Sequence, residues 1–262
     1  MQLVQSDMDF ILKQVRFELA GLPPVRPTLL QERGSCTLRR QSNPSGRPNG
    51  GTTHSIRAVS RLSGDAVESI ASLNSFARNA KIYGENDPAD WIYMVNSGTV
   101  QTYKVLSDGR RQIGAFHLPG DMFGLELEET RPCAAAAVTH ASLIILQRRT
   151  ITALAEQDGE TACRLWEITA RALRRAEDHA FLLTRSARER VAAFLLEMAD
   201  RLSTGNVLQL QMSRLDIADY LGLTMETVCR TLKQFEKSGA IALSPSRRLA
   251  IRDRSALLRQ ND

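Results

Sequence analysis

No apolar run in the chain approaches the ~18 residues that a membrane-spanning helix needs, so no such span is expected. The N-terminus carries Asp7 and Asp9 early and lacks the charged, apolar, small-residue order of a secretory signal. Its four cysteines, Cys36, Cys133, Cys163 and Cys229, show no CxxC spacing. That scatter argues against a disulfide framework and for reduced thiols in the cytoplasm. His54, His117, His140 and His179 share no metal-ligand spacing, so neither a metal nor another cofactor is expected. No Ser/His/Asp set or phosphate-binding glycine loop is visible, and an enzyme is the weakest reading.

What is present is an ordinary soluble composition, 43% hydrophobic and 24% charged, over 262 residues, enough for two domains. The net charge of +5 is unevenly spread. From Arg185 onward 13 Lys and Arg stand against 9 Asp and Glu, whereas from Arg61 to Glu156 the ratio is 9 to 11. The basic excess therefore falls on the C-terminal segment, where a polyanionic partner would bind. The first sixty residues are basic as well, 8 against 4.

That C-terminal segment contains Arg214 to Lys233, RLDIADYLGLTMETVCRTLK, which reads as two short helices joined by a tight turn. Ser213 can cap the first helix, with Asp216 three residues on completing a capping box. Ala218 is small where the helices cross, and Gly222 supplies the backbone freedom of the turn. Leu215, Leu221, Leu223, Val228 and Leu232 are expected to form the shared core. Thr224 can cap the second helix, leaving Met225, Glu226, Cys229 and Arg230 on its outer face, suited to a DNA major groove. Beyond it, Ile241-Ala-Leu and Leu249-Ala-Ile flank Ser244-Pro-Ser-Arg-Arg, a hairpin wing with Arg247 and Arg248 placed to meet phosphate.

Residues 1–60 read as a leader. A helical pattern there breaks at Pro23-Pro24, and Gln41 to His54 forms a flexible Ser, Asn, Gly and Pro-rich linker. Residues 61–156 read as a β-rich domain. It opens with a short helix (Val67, Ile70, Leu73, Phe76), followed by strands at Trp91–Val95, Thr99–Val105, Arg111–Leu118 and Ala135–Leu146. Asn96-Ser-Gly, Ser107-Asp-Gly and Pro119-Gly-Asp supply the turns between strands, a pattern that argues a small roll or barrel. Residues 157–184 read as one long helix, without Gly or Pro from Glu160 to Leu183. Leu165, Ile168, Ala172, Arg175, His179 and Leu182 fall at alternating three- and four-residue steps, a seam suited to pairing with a second copy. Residues 185–262 complete the basic domain. Ser186 and Glu189 begin the helix ERVAAFLLEMADRL, and a strand spans Asn206 to Met212.

Three runs resemble the FNR/CRP superfamily of bacterial transcription regulators, most closely its FixK-type branch. They are Trp91 to Glu126 (WIYMVNSGTVQTYKVLSDGRRQIGAFHLPGDMFGLE), Glu189 to Leu202 (ERVAAFLLEMADRL) and Met212 to Ile241 (MSRLDIADYLGLTMETVCRTLKQFEKSGAI). The resemblance implies an α+β chain: a cyclic-nucleotide-binding-like β-roll, a long dimerisation helix and a winged helix-turn-helix. It implies duplex DNA, RNA polymerase and a second copy as partners. The turn at Asp108-Gly109 corresponds to a loop that can touch the polymerase in relatives.

The effector residues of the family mostly fail to carry over. Leu125 follows Gly124 where cyclic-AMP-binding members have Glu, and Pro132-Cys133 stand where they have Arg-Ser, with Arg131 one residue early. A cyclic phosphate would lack its guanidinium clamp. Only Cys36 lies in the leader, and Ile144 takes the roll position of an iron–sulfur ligand, so four thiolates cannot be assembled. FixK-type members lack both sensors. The competing expectation is a regulator whose roll binds another small effector.

By the same resemblance, Glu226 and Arg230 read bases, and their chemistry agrees. Arg pairs bidentately with guanine O6/N7, and Glu accepts from cytosine N4. Met225 replaces the Arg of cyclic-AMP-type members, which favours a TTGAT half-site. Cys229 would lie near a thymine methyl and, beside Arg230 and a helix N-terminus, is a candidate for oxidation. Ser213, Thr224, Thr227 and Lys233 would position the backbone.

Overall fold

The computed structural model describes residues 71–202, 207–244 and 248–259. The expected leader lies outside them.

The N-terminal half is built from short strands, several of them buried over most of their length, between tight turns. β1 (Ala71–Phe76), β2 (Lys81–Tyr83), β3 (Trp91–Ser97) and β4 (Val100–Val105) are followed by β5 (Arg111–His117), β6 (Met122–Phe123), β7 (Ala134–Ala137) and β8 (Ala141–Gln147). They form two antiparallel four-stranded sheets, ordered β1-β8-β3-β6 and β2-β7-β4-β5. Phe76, Tyr93, Val95, Phe123, Leu143 and Ile145 pack between them.

Two expectations are corrected here. Leu73 and Phe76 belong to a strand, paired with Ile144 and Ala141 of β8, and not to a helix. A spacing of three fits a helix turn, but a free sheet edge on β8 claims this segment. Val67 and Ile70 fall outside the described residues. The single strand expected over Ala135–Leu146 is two, because Val138-Thr139-His140 carries the chain from one sheet to the other.

α1 (Arg148–Gln157) leads into the long helix α2 (Gly159–Leu182), 24 residues capped by Asp158, whose carboxylate accepts from the Glu160 and Thr161 amides. At ~1.5 Å per residue it reaches about 36 Å. Much of the row expected to meet a second copy packs on its own chain. Ile168 and Leu165 join Ile92, Met94 and Leu146 of the roll, and Leu182 joins the C-terminal core. His179 stacks on Tyr220 with ring centroids 4.0 Å apart, and Ala172 is half-buried on the same row. Intrachain packing takes this row because the roll and the C-terminal domain flank the helix on one side. The opposite face leaves Trp166, Leu173 and Phe181 exposed at 76%, 59% and 70%.

The C-terminal half holds α3 (Ala187–Leu202), β9 (Val207–Gln209), α4 (Arg214–Leu221), α5 (Met225–Lys237), β10 (Ile241–Leu243), β11 (Arg248–Ile251) and α6 (Arg254–Leu258). β10, β11 and β9 pair in that order as the wing sheet. The C-terminal core is continuous with the roll: Ile113, Phe116, Leu118 and Val138 pack with Phe194, Tyr220, Leu221 and Phe235. Among the described residues no helix is long and apolar enough to cross a membrane.

His117 lies near this junction, its ring stacked on Phe123 at 4.7 Å with a nitrogen 3.1 Å from the Thr102 hydroxyl. Burial, aided by the Arg201 and Arg175 cations against the opposing pull of Asp121, holds its pKa down to about 4. The unfolded chain takes up that proton near 6.5, so His117 contributes stability in full above pH 6.5 and loses it as pH falls toward 4. The loss should amount to roughly 3 kcal/mol. Urea midpoints at pH 7 and 4.5 should therefore differ less in His117→Gln than in the native chain; an equal difference would remove His117 as the cause.

Candidate nucleic-acid interface

The two helices α4 and α5 are fixed by their own ends. The Ser213 hydroxyl accepts from the Asp216 amide at 3.0 Å, and the Asp216 carboxylate accepts from the Ser213 amide at 2.9 Å and its hydroxyl at 2.6 Å. This reciprocal box starts α4. Gly222 ends it in the left-handed region, φ 62°, where a side chain would be strained. Two residues later the Thr224 hydroxyl accepts from the Thr227 amide at 3.2 Å and starts α5. The Thr227 hydroxyl lies 2.9 Å from that of Thr224, so both threonines serve the cap.

The last carbonyls of α4, which a helix leaves without internal partners, are satisfied from outside. Tyr220 O accepts from His179 at 2.8 Å and Gln112 at 3.3 Å, and Leu221 O accepts from Arg190 at 2.9 Å. Three separate elements thus hold the turn of the motif. The shared core uses Ile217, Ala218, Tyr220, Leu221, Val228, Leu232 and Phe235. Leu215, expected in it, is 52% exposed. It stands two residues, about 200° of helix turn, from Ile217 and so points away.

α5 buries Val228, Thr231, Leu232 and Phe235 and turns its other face outward. There Glu226, Cys229, Arg230, Lys233, Gln234 and Lys237 line one shallow, open groove of about 380 Å³. Glu226 and Arg230 are one turn apart and exposed, Cys229 is half-buried, and Met225 is exposed at the helix start. Among the described residues Glu226, Arg230 and Lys233 form no ion pair, which leaves carboxylate and guanidinium available to base edges. Arg248 is exposed at the start of β11, and the backbone of Ser244 closes the hairpin on it at 2.9 Å. Arg247 lies outside the described residues.

Of the expected site residues, the structure gathers Glu226, Cys229, Arg230 and Lys233 on one face, with Met225 beside them. The inward row of α2 lies apart from it. Gln234 and Lys237 were missed, although Lys237 follows Arg230 by seven residues and so shares its face. Arg190, Gln112 and Arg111, the last of which bonds Asp216 and Asp219, gave no local signal because these partners lie far along the chain.

In the roll, Arg131 is almost fully buried. Its guanidinium donates to Glu126 at 2.7 Å and to the Trp91 carbonyl, and lies 4.5 Å over the Tyr83 ring. Gly124 packs so close that a Cβ there would come within 2.7 Å of it. Two of the three guanidinium nitrogens of Arg131 are thus engaged by its own neighbours, while Nε is buried without a hydrogen-bond partner among the described residues. Burial, then Glu126, pushes the nearby Cys133 thiol up to about 11, as suits an inert, mostly apolar contact. Cys163 is exposed on α2. Among the described residues no cluster of three His, Cys, Asp or Glu could hold a metal.

Residues 73–158 match the family model of the cyclic nucleotide-binding domain, and residues 189–260 that of the Crp-like helix-turn-helix domain. Roll, long helix and an outward-facing second helix together define a DNA-binding transcription regulator. The nitrogen fixation regulation protein FixK of Azorhizobium caulinodans is 48% identical over 190 residues, which is 70% of this chain and 77% of that protein. The protein of the same name from Rhizobium meliloti is 40% identical over 178 residues, 68% of this chain and 81% of that one. Among solved structures, FixK2 from Bradyrhizobium japonicum superposes with a TM-score of 0.71 at 47% identity, covering 74% of this chain and 98% of that one. The chain belongs to the FixK branch of the CRP/FNR superfamily.

Proposed function

We propose that the protein is a homodimeric activator that binds a TTGAT-type palindrome and controls genes of nitrogen fixation and low-oxygen metabolism, acting in the cytoplasm. The names of its relatives support the physiology. The observation that carries the DNA reading is the unpaired Glu226–Arg230 pair on the open face of α5, flanked by Lys233 and Lys237. Arg230 and Glu226 address the two ends of one G·C pair, while Lys233, Ser213, Thr224, Thr227, Arg247 and Arg248 serve the phosphate backbone or the caps that face it. Two half-sites need two readers. The exposed Trp166, Leu173 and Phe181 of α2 are the surface for the second copy, in place of the inward row Leu165, Ile168, Ala172, His179 and Leu182.

The β4–β5 hairpin, with Val105 and Leu106 exposed beside Asp108 and Gly109, is the surface assigned to RNA polymerase. Footprinting of the purified protein with and without oxygen, followed by transcription in vitro, tests both steps. Asp108→Ala should bind DNA normally and activate less; full activation would remove the hairpin from the contact. The alternative, a roll gated by a small effector, gains little from a cyclic phosphate, because Arg131 is paired with Glu126.

Cys229 sits within the groove, so adding oxygen to its sulfur would place bulk and charge against DNA. Peroxide should weaken binding by the native protein and spare Cys229→Ser; equal loss in both would dispose of the idea.

A further inference from the structure

The roll reaches across to the first helix of the DNA-binding motif through two neighbouring side chains of β5, and one of them carries charge. Arg111, on β5, donates to Asp216 at 2.6 Å and to Asp219 at 2.9 Å, both on α4 and more than 100 residues away in sequence. Its neighbour Gln112 donates to the Tyr220 carbonyl, and Arg111 itself lies 5.6 Å over the Tyr103 ring. All three groups of the ion pair are only partly exposed, so solvent screens them incompletely.

The two carboxylates occupy an awkward place for a DNA-binding protein. In a helix-turn-helix the first helix crosses the phosphate backbone while the second enters the groove. Asp216 and Asp219 lie in the first two turns of that first helix, where negative charge repels phosphate. Asp216 cannot simply be dispensed with, since it closes the capping box on Ser213. A cation is needed there, and α4 receives it from the roll.

We infer that Arg111 is a positioning residue for DNA binding: it neutralises Asp216 and Asp219 and holds α4 against the roll, so that the closed clasp is the DNA-competent arrangement. This rests on the reading of α4 and α5 as the DNA-binding unit. The clasp makes the roll a contributor to affinity without any ligand, because the charge that offsets α4 belongs to the roll.

The test uses the full chain and fluorescence-labelled duplexes, one palindromic and one scrambled. Arg111→Gln should weaken binding to both duplexes by the same factor, roughly three- to tenfold at low salt, and the deficit should shrink as salt rises. Arg111→Lys should restore most of the loss. Adding Asp219→Asn to Arg111→Gln should also recover affinity, by removing the uncovered carboxylate; a purely structural clasp would not recover. Circular dichroism of each variant separates these effects from unfolding. If Arg111→Gln binds as tightly as the native chain or more tightly, or if the double variant does no better than the single one, the inference is overturned. A native chain that binds neither duplex would instead overturn the DNA reading beneath it.

Discussion

Arg230→Ala should lose about 1–3 kcal/mol of binding to its palindrome and cease to distinguish the base pair it reads. The side chain is exposed and forms no ion pair among the described residues, so its removal leaves no buried group unsatisfied and should not alter stability. The loss should be concentrated at one position of each half-site, because a bidentate contact to guanine cannot be replaced by the neighbouring lysines. Lys233→Ala supplies the contrast. A phosphate contact weakens all sequences alike and flattens the salt dependence by about one counterion. Titration of both variants against single-substituted sites separates the two behaviours, and unchanged selectivity in Arg230→Ala would count heavily against its role.

Leu173→Glu should produce a folded monomer with little operator binding. Leu173 is exposed in the single chain, so a carboxylate there has no intrachain core to disturb. In a dimer built on Trp166, Leu173 and Phe181 it would be buried beside its own symmetry mate, two like charges without a partner. Losing the second reader removes the gain from linked binding, on the order of 10²–10⁴ in affinity. Sedimentation should show the monomer, and palindrome affinity should fall toward that of one half-site. A dimer of native affinity would move the interface elsewhere on the chain.

The DNA-binding unit was legible because its signals are local. Ser213 with Asp216, Gly222 and Thr224 each act within four residues, and the structure shows each cap and the turn in place. The turns of the roll were legible for the same reason. What failed was orientation and partner choice. The apolar row from Leu165 to Leu182 is real, yet nothing in the row says whether roll or twin covers it. Trp166, Leu173 and Phe181, on the other face, follow the same period. Leu73 and Phe76 satisfied a helical spacing that β8 overrode by pairing. Arg111 carried no signal at all, since its carboxylates lie on the far side of α2 and α3 in sequence.

The central claim is that α5 presents Glu226 and Arg230 to a defined base step in duplex DNA. Competition binding of the purified protein against a TTGAT palindrome and a scrambled duplex of equal length, at fixed salt, measures it directly. Preference for the palindrome by a factor of 10³ or more is the result expected of a specific reader. Equal affinity for the two duplexes, with and without reductant, would contradict it.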